Sequence, residues 1–260
     1  MKSLIHMKAS IITSFILIVL ISIIPGCDKK EELEFDGADQ YIIALQPGKY
    51  ITYKLDSTVF VQAGRQEEVH SYQEKHVVDA EIQDGLGRKS FRIFRFLNNA
   101  TGTQPWTPAG SYFITPSEGT IEVIENNLRV VTLVGKVEQG RTWKGNRFLG
   151  TDPYLNFSYN FGNDDNIADW NFTINETGGS KSINGKNYTN VATVLAVDES
   201  LNVPINDTKA FAARTYSLSQ YAKNVGLIYQ EHILWEYQPN PNGTPYKTGF
   251  GIKRSIIDHN

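Results

Sequence analysis

The sequence predicts an all-β protein: a curved antiparallel sheet forming an open half-barrel, with few short helices. A β-sandwich is the alternative arrangement of the same strands. Three observations carry this expectation. Apolar residues beyond the N-terminal region recur with period two in segment after segment. The alternating runs are joined by short turns rich in Asn, Asp and Gly, at hairpin spacing. The chain carries 13 Tyr, 13 Phe and 4 Trp beside frequent Val, Ile and Thr, a mix that favours strands. At 40% hydrophobic and 20% charged residues, 260 positions suffice to build a buried core.

The elements follow in order. In "ITYKLDSTVFV" (51–61), Ile51, Tyr53, Leu55, Val59 and Val61 share one face and Thr52, Lys54, Asp56 and Thr58 the other. Asp84-Gly85 breaks residues 76–96 into a hairpin. Asn126-Asn127 does the same for 121–134, because Asn tolerates positive φ. Asn184-Gly185 is the strongest short hairpin signal, followed by a strand to Val197. "VGLIYQEHILWEY" (225–237) places Val225, Leu227, Tyr229, Ile233, Trp235 and Tyr237 on one face. A Pro/Gly/Asn loop then leads into a last strand, 248–257, expected to pair back on the previous one. Short helices are expected at 167–172 or 217–223. Gly226 inside a strand implies a bulge or a close backbone approach, with Tyr221 and Val225 packing the core.

The N-terminus has a different character. Lys2 and Lys8 precede sixteen uncharged residues, 9–24, and Pro25, Gly26 and Cys27 follow. A basic start, an apolar run of this length and a small residue before the cut form the pattern of a signal peptide. The run is shorter than the roughly 20 residues that span a bilayer. Either Met1 or Met7 serves as the start. Residues 28–35, "DKKEELEF", read as a solvated tether. The expected organisation is a signal peptide at 1–26, a flexible tether at 27–38 and a single antiparallel β domain at 39–260. The alternative is a split near 162–166.

Ile24-Pro25-Gly26-Cys27 resembles the lipobox of bacterial lipoproteins, with Pro25 departing from the pattern. The resemblance implies that Cys27 is the lipid attachment site and first residue of the mature chain. It also implies a cell-envelope location, lipid-anchored and on the outer membrane, with the periplasmic or surface face open. Lys30-Glu31-Glu32 resembles the export signal of Bacteroidota surface lipoproteins, one place out of register. Farther on, Ile183-Asn184-Gly185-Lys186, Tyr188-Thr189-Asn190-Val191 and the run Tyr221 to Ile228 form a pattern across residues 181–236. It is similar to uncharacterised Bacteroidota lipoproteins and to lipoprotein-carrier-like half-barrel domains of unknown function. That likeness implies a fold and carries over no catalytic residue.

Chemistry is sparsely marked. The one cysteine rules out an internal disulfide framework and cysteine-rich zinc sites. From Cys27 onward the chain has 23 basic and 28 acidic residues with no basic stripe, which argues against nucleic acid as a partner. Neither a G-x-S-x-G elbow nor a phosphate-binding P-loop occurs. His70 and His76 share a face of one strand but stand roughly 20 Å apart at strand rise, too far for one metal. Glu231 and His232 point to opposite faces. Asp164, Asp165 and Asp169 lack the spacing of a calcium loop and read as a polar turn. Trp106, between two prolines, either contacts a ligand or partner or plugs one end of the barrel. No catalytic residue, cofactor or metal is expected. The function expected is a non-catalytic binding module for an apolar or glycan ligand. A structural or assembly subunit of an envelope complex is the alternative, and an enzyme with an unmarked site the third reading.

Overall fold

The computed structural model describes residues 37–155, 161–162 and 166–260. Cys27, the signal-like run, the tether through Asp36, Asp164 and Asp165 lie outside the described residues. Twelve strands make one antiparallel sheet: β1 (Tyr50–Val61), β2 (Gln66–Gln83), β3 (Lys89–Asn99), β4 (Thr107–Ser117), β5 (Thr120–Glu125), β6 (Leu128–Val134), β7 (Thr142–Lys144), β8 (Asn171–Ile183), β9 (Lys186–Leu201), β10 (Ala212–Ala222), β11 (Gly226–Gln238) and β12 (Tyr246–His259). Their order is β6-β5-β4-β3-β2-β1-β12-β11-β10-β9-β8-β7. Strands before and after residue 162 thus share one sheet, joined where β1 pairs with β12. No α-helix occurs among the described residues.

The sheet curves further than a half-barrel and nearly closes on itself, leaving one seam between β6 and β7. Two hydrogen bonds bridge that seam. The Val131 amide donates to the Gly145 carbonyl at 2.8 Å. The Trp143 indole N–H donates to the Val131 carbonyl at 2.7 Å. Register shifts in the β1–β12, β2–β3, β3–β4 and β9–β10 pairings supply the local bends a closing sheet needs. The hairpin turns form where the sequence places them. Asn126 and Asn127 take φ of 52° and 63°, and Asn184 and Gly185 take 50° and 79°. The Asp84 carboxylate anchors the β2–β3 turn by accepting the Leu86 and Arg88 amides, both at 2.9 Å.

Two ends can be told apart. At one, the tight turns β2–β3, β4–β5, β8–β9 and β10–β11 gather, and residues 38–45 cross the barrel. Ala38, Tyr41 and Ile43 join the core there. Ala38 N–H donates to Gly135 O at 3.1 Å, and Asn224 N–H donates to Gln40 O at 2.6 Å. Gly226 makes the close backbone approach expected of it. Its φ is +106°, and a Cβ there would lie 2.6 Å from the Ile43 nitrogen, so only glycine lets this crossing segment so close. Tyr221 is buried in the same core, with Val225 packed against it. At the other end, the rim, lie the longer connections, including the β7–β8 link with Tyr154, Phe161 and Trp170.

Two expectations need correction. Residues 217–223 are not helical. Residues 217–222 belong to β10, because Ser217, Ser219 and Tyr221 alternate inward at period two opposite β11. The other helical expectation reduces to a single 3-10 turn, Ile167–Asp169. In β11 the more apolar face does not line the interior. Ile228 and Leu234 are buried on the even-numbered face, with Gln230 and His232 between them. The odd-numbered face, with Tyr229, Ile233, Trp235 and Tyr237, turns outward. The inward face of β11 mixes the buried Ile228 and Leu234 with the polar Gln230 and His232, which face the charge lattice and the rim-side cavity.

Candidate functional site

Period-two alternation sends one set of polar side chains into the barrel from eight strands. Tyr53 (β1) stands opposite Glu74 (β2), and Ile51 opposite His76. His76 in turn faces Arg95 (β3). Across the β1–β12 pair Leu55 faces Arg254, and Arg254 faces Gln230 (β11). Ser217 and Ser219 (β10) face His232 and Gln230. Tyr112 (β4) and Glu125 (β5) complete the set.

These groups form a connected charge lattice. The Glu74 side chain is 2% exposed and sits among three cationic or potentially cationic side chains. Arg254 Nε donates to its Oε2 at 2.7 Å, and Arg95 Nη1 to its Oε1 at 3.4 Å. His76 Nε2 lies 3.2 Å from Oε2, close enough for an ion pair but not aligned for a hydrogen bond. Burial raises the Glu74 pKa, but Arg254 and His76 outweigh it and hold the carboxyl well below its ordinary range. Arg95 also pairs with Glu125 at 2.7 Å, and Arg254 Nη1 donates to Gln230 Oε1 at 2.6 Å. Tyr112 Oη and His76 Nδ1 share a hydrogen bond of 3.0 Å. Tyr53 Oη donates to the Leu227 carbonyl at 3.0 Å. Burial first, then neighbouring phenols and carboxylates, raises the pKa of Tyr53 and Tyr112, so both stay protonated.

Two cavities flank this lattice. The one towards the rim, about 190 Å³, is bounded by Leu128, Trp170, Phe172 and Phe250 with the polar Ser217 and His232. The one towards the crossing segment, about 140 Å³, is bounded by Ile42, Ile43, Ile114, Ile121 and Leu227 with the polar His76. They abut at a shared waist of Val123, Glu125, Thr132, Tyr221, Gln230 and Arg254. His232 is framed by the rings of Phe250, Tyr154 and Trp170 at 5.6, 5.7 and 6.3 Å. Burial, then the nearby Arg254 charge, pushes its pKa down to about 4, so the imidazole is neutral at pH 7.

The residues singled out in the sequence sit elsewhere. Cys27 lies outside the described residues. Trp106, on the β3–β4 connection at the rim, is 38% exposed and lines neither cavity. Its ring lies 6.0 Å from Lys75 Nζ, so it does not plug the barrel. Tyr154, Phe161 and Trp170 pack at the rim instead. His70 is exposed beside Glu68 at 2.9 Å, whereas His76 is buried in the interior. His259, near the end of β12, is paired with Ile51. Glu231 and His232 face opposite sides, as expected. Among the described residues no group of three or more His, Cys, Asp or Glu side chains could hold a metal ion.

Sequence reasoning passed over Glu74, Arg95, Glu125, Gln230 and Arg254. Their signal was present. In "HSYQEKHVV" (70–78) the inward positions Tyr72, Glu74, His76 and Val78 alternate as a strand face with a carboxylate among them.

No known protein family and no curated protein matches the chain. Among solved structures it is similar to a protein from Bacteroides fragilis described as exported, with a YmcC-like fold. That match has 11% identity and a TM-score of 0.37, and covers 84% of this chain and all of the other. It is also similar to a DUF1329 family protein from Desulfovibrio piger, at 8% identity and a TM-score of 0.21, covering 83% and 86% of the two chains. At these values neither likeness bears on what the interior does.

Proposed function

We propose that this protein is an envelope lipoprotein, anchored to the outer membrane through Cys27 and the tether 27–38, whose body is a non-catalytic module binding an apolar or glycan ligand inside the barrel. The observation that carries the binding reading is the pair of abutting cavities, about 190 and 140 Å³, within the barrel interior. Together they approach the lower end of the roughly 300–1,000 Å³ found for small-ligand pockets, and they combine apolar walls with a few placed polar groups, as such pockets do. The ion pairs tie the interior carboxylates to arginines, which suits a scaffold better than acid–base chemistry. The lipid anchor rests on the lipobox-like sequence. Three acyl chains on Cys27 would hold far more firmly than one, whose binding is marginal.

The test uses the Cys27→Ser form, expected to leave the membrane fraction and remain folded. Native mass spectrometry should show co-purified mass, or xenon NMR should show saturable uptake. A ligand-free spectrum together with no xenon uptake overturns the binding reading.

A second reading, a subunit of an envelope assembly, is favoured by one observation. Val69, Leu201, Val203 and Tyr246 are all exposed at or near the rim, at 57, 57, 37 and 39%. In-cell crosslinking that recovers one dominant partner through this rim supports it. A diffuse background counts against it.

A further inference from the structure

The interior also bears on the charge of what it holds. We infer that the barrel selects an uncharged, mainly apolar ligand carrying a hydrogen-bonding group, and that Glu125 is the residue that bars anions. This rests on the binding reading above and narrows it.

The inference starts from the waist. Among acidic and arginine side chains, Glu125 and Arg254 alone line the cavities, and both line both of them. Apart from His76, which is held 3.2 Å from the Glu74 carboxylate, the one carboxylate and one guanidinium on the wall balance each other. Neither is spare. Glu125 is held by Arg95 at 2.7 Å, and Arg254 by Glu74 at 2.7 Å and Gln230 at 2.6 Å. An anion reaching Arg254 would have to displace one of these partners, and it would do so beside Glu125. A cation reaching Glu125 would have to displace Arg95, beside Arg254. A charged ligand must also shed its hydration, a large cost without a free counter-charge. The rim-side cavity adds no charge through His232, which is neutral at pH 7.

Shape and polarity complete the description. A 150 Å³ apolar cavity holds a benzene-sized molecule, so each chamber suits about one such group. Both chambers mix apolar walls with polar groups: Ser217, Ser219 and His232 towards the rim, His76 and Tyr112 towards the crossing segment, and Thr132 and Gln230 at the waist. A mainly apolar ligand with a single hydroxyl or amide satisfies such walls. A pyranose would carry hydroxyls against the apolar walls at every edge.

The experiment is a charge series on one carbon skeleton. Binding of 1-hexanol, hexanoate and hexylammonium to the Cys27→Ser protein is measured at pH 7 by NMR titration. The alcohol should bind at least tenfold more tightly than either ion. In Glu125→Gln the wall gains a net positive charge, and the ratio of hexanoate to 1-hexanol affinity should rise at least tenfold. Hexanoate or hexylammonium binding as well as the alcohol to the unsubstituted interior overturns the inference, even if Glu125→Gln fails to fold. So does a folded Glu125→Gln protein with an unchanged preference. If none of the three binds and xenon is also excluded, the binding reading itself falls. Xenon entry with no alcohol binding refutes only the narrower inference.

Discussion

Replacing Glu74 by Gln tests the charge lattice directly. The substitution keeps the side-chain volume, so no cavity forms, and removes one negative charge from a site 2% exposed. Arg254 loses a 2.7 Å charge-assisted bond and His76 its 3.2 Å neighbour. Arg95 loses the weaker 3.4 Å contact but keeps Glu125 at 2.7 Å. Breaking a buried ion pair by removing one partner costs about 3–5 kcal/mol. Because Arg95 keeps Glu125 and Arg254 keeps Gln230, the lower part of that range applies, about 3 kcal/mol. With a urea m-value of about 3 kcal/mol/M, the midpoint should fall by about 1 M. The loss should also depend on pH. Glu74 has a folded pKa below its unfolded one, so it stabilises the fold above about pH 4.5, and that contribution fades as pH falls through the folded value. Glu74→Gln should lack this part of the acid slope. The pair Glu74→Leu with Arg254→Met should cost less than the two single changes added together, since an apolar pair leaves no orphaned charge. A Glu74→Gln midpoint within about 0.3 M of the parent, or strict additivity in the double variant, refutes the reasoning.

Three further outcomes follow from the geometry. Gly226→Ala places a Cβ 2.6 Å from the Ile43 nitrogen at a φ of +106°, and should cost more than about 2 kcal/mol, with faster proteolysis within residues 38–48; an unchanged melting temperature contradicts this. Trp143→Phe keeps a ring in the core but deletes the 2.7 Å indole bond to Val131, so it should cost about 1 kcal/mol and speed hydrogen exchange of the Val131 amide, while slower or equal exchange would show that the seam does not depend on it. His232 has a folded pKa of about 4 against an ordinary 6.5, so the unfolded chain takes up the proton first. Its contribution is complete above about pH 6.5 and is lost as pH falls towards 4, by no more than about 3 kcal/mol, because part of the ring's surroundings is open cavity; a His232→Leu variant with the parent's pH profile between 4 and 6.5 contradicts this.

The sheet was legible because several of its hairpins announce themselves locally. Asn126-Asn127 and Asn184-Gly185 reach positive φ as their residue types allow, and the alternation of Ile51, Tyr53 and Leu55 depends on period two alone. The extent of closure was not legible. It depends on Val131 meeting Gly145 and Trp143, contacts between strands that carry no joint signature in sequence. The interior was hidden for a related reason. The interior sets a charge lattice within an apolar core, so inward does not always mean apolar: β11 presents Gln230 and His232 inside beside the buried Ile228 and Leu234, and Trp235 and Tyr237 outside. Glu74 and Arg254 are 180 residues apart and stand close only because β1 lies between their strands. Trp106 drew notice as a rigidly flanked aromatic, but loop side chains are placed by contacts that periodicity does not encode.

The crossing segment acts as a tie rod. The seam between β6 and β7 and the β1–β12 junction divide the twelve-strand cycle into two equal arcs. Residues 38–49 run from one to the other. Ala38 is fastened to Gly135 beside the seam, and Gly48 and Lys49 exchange hydrogen bonds with Val78 next to β1. A closed sheet with a thin seam can fail by flattening into an oval, which would pull β6 from β7. A strut across the diameter resists that distortion at one end only. The barrel should therefore be stiff where it is braced and compliant at the rim, so that breathing motions widen the 190 Å³ chamber while the 140 Å³ chamber keeps its shape.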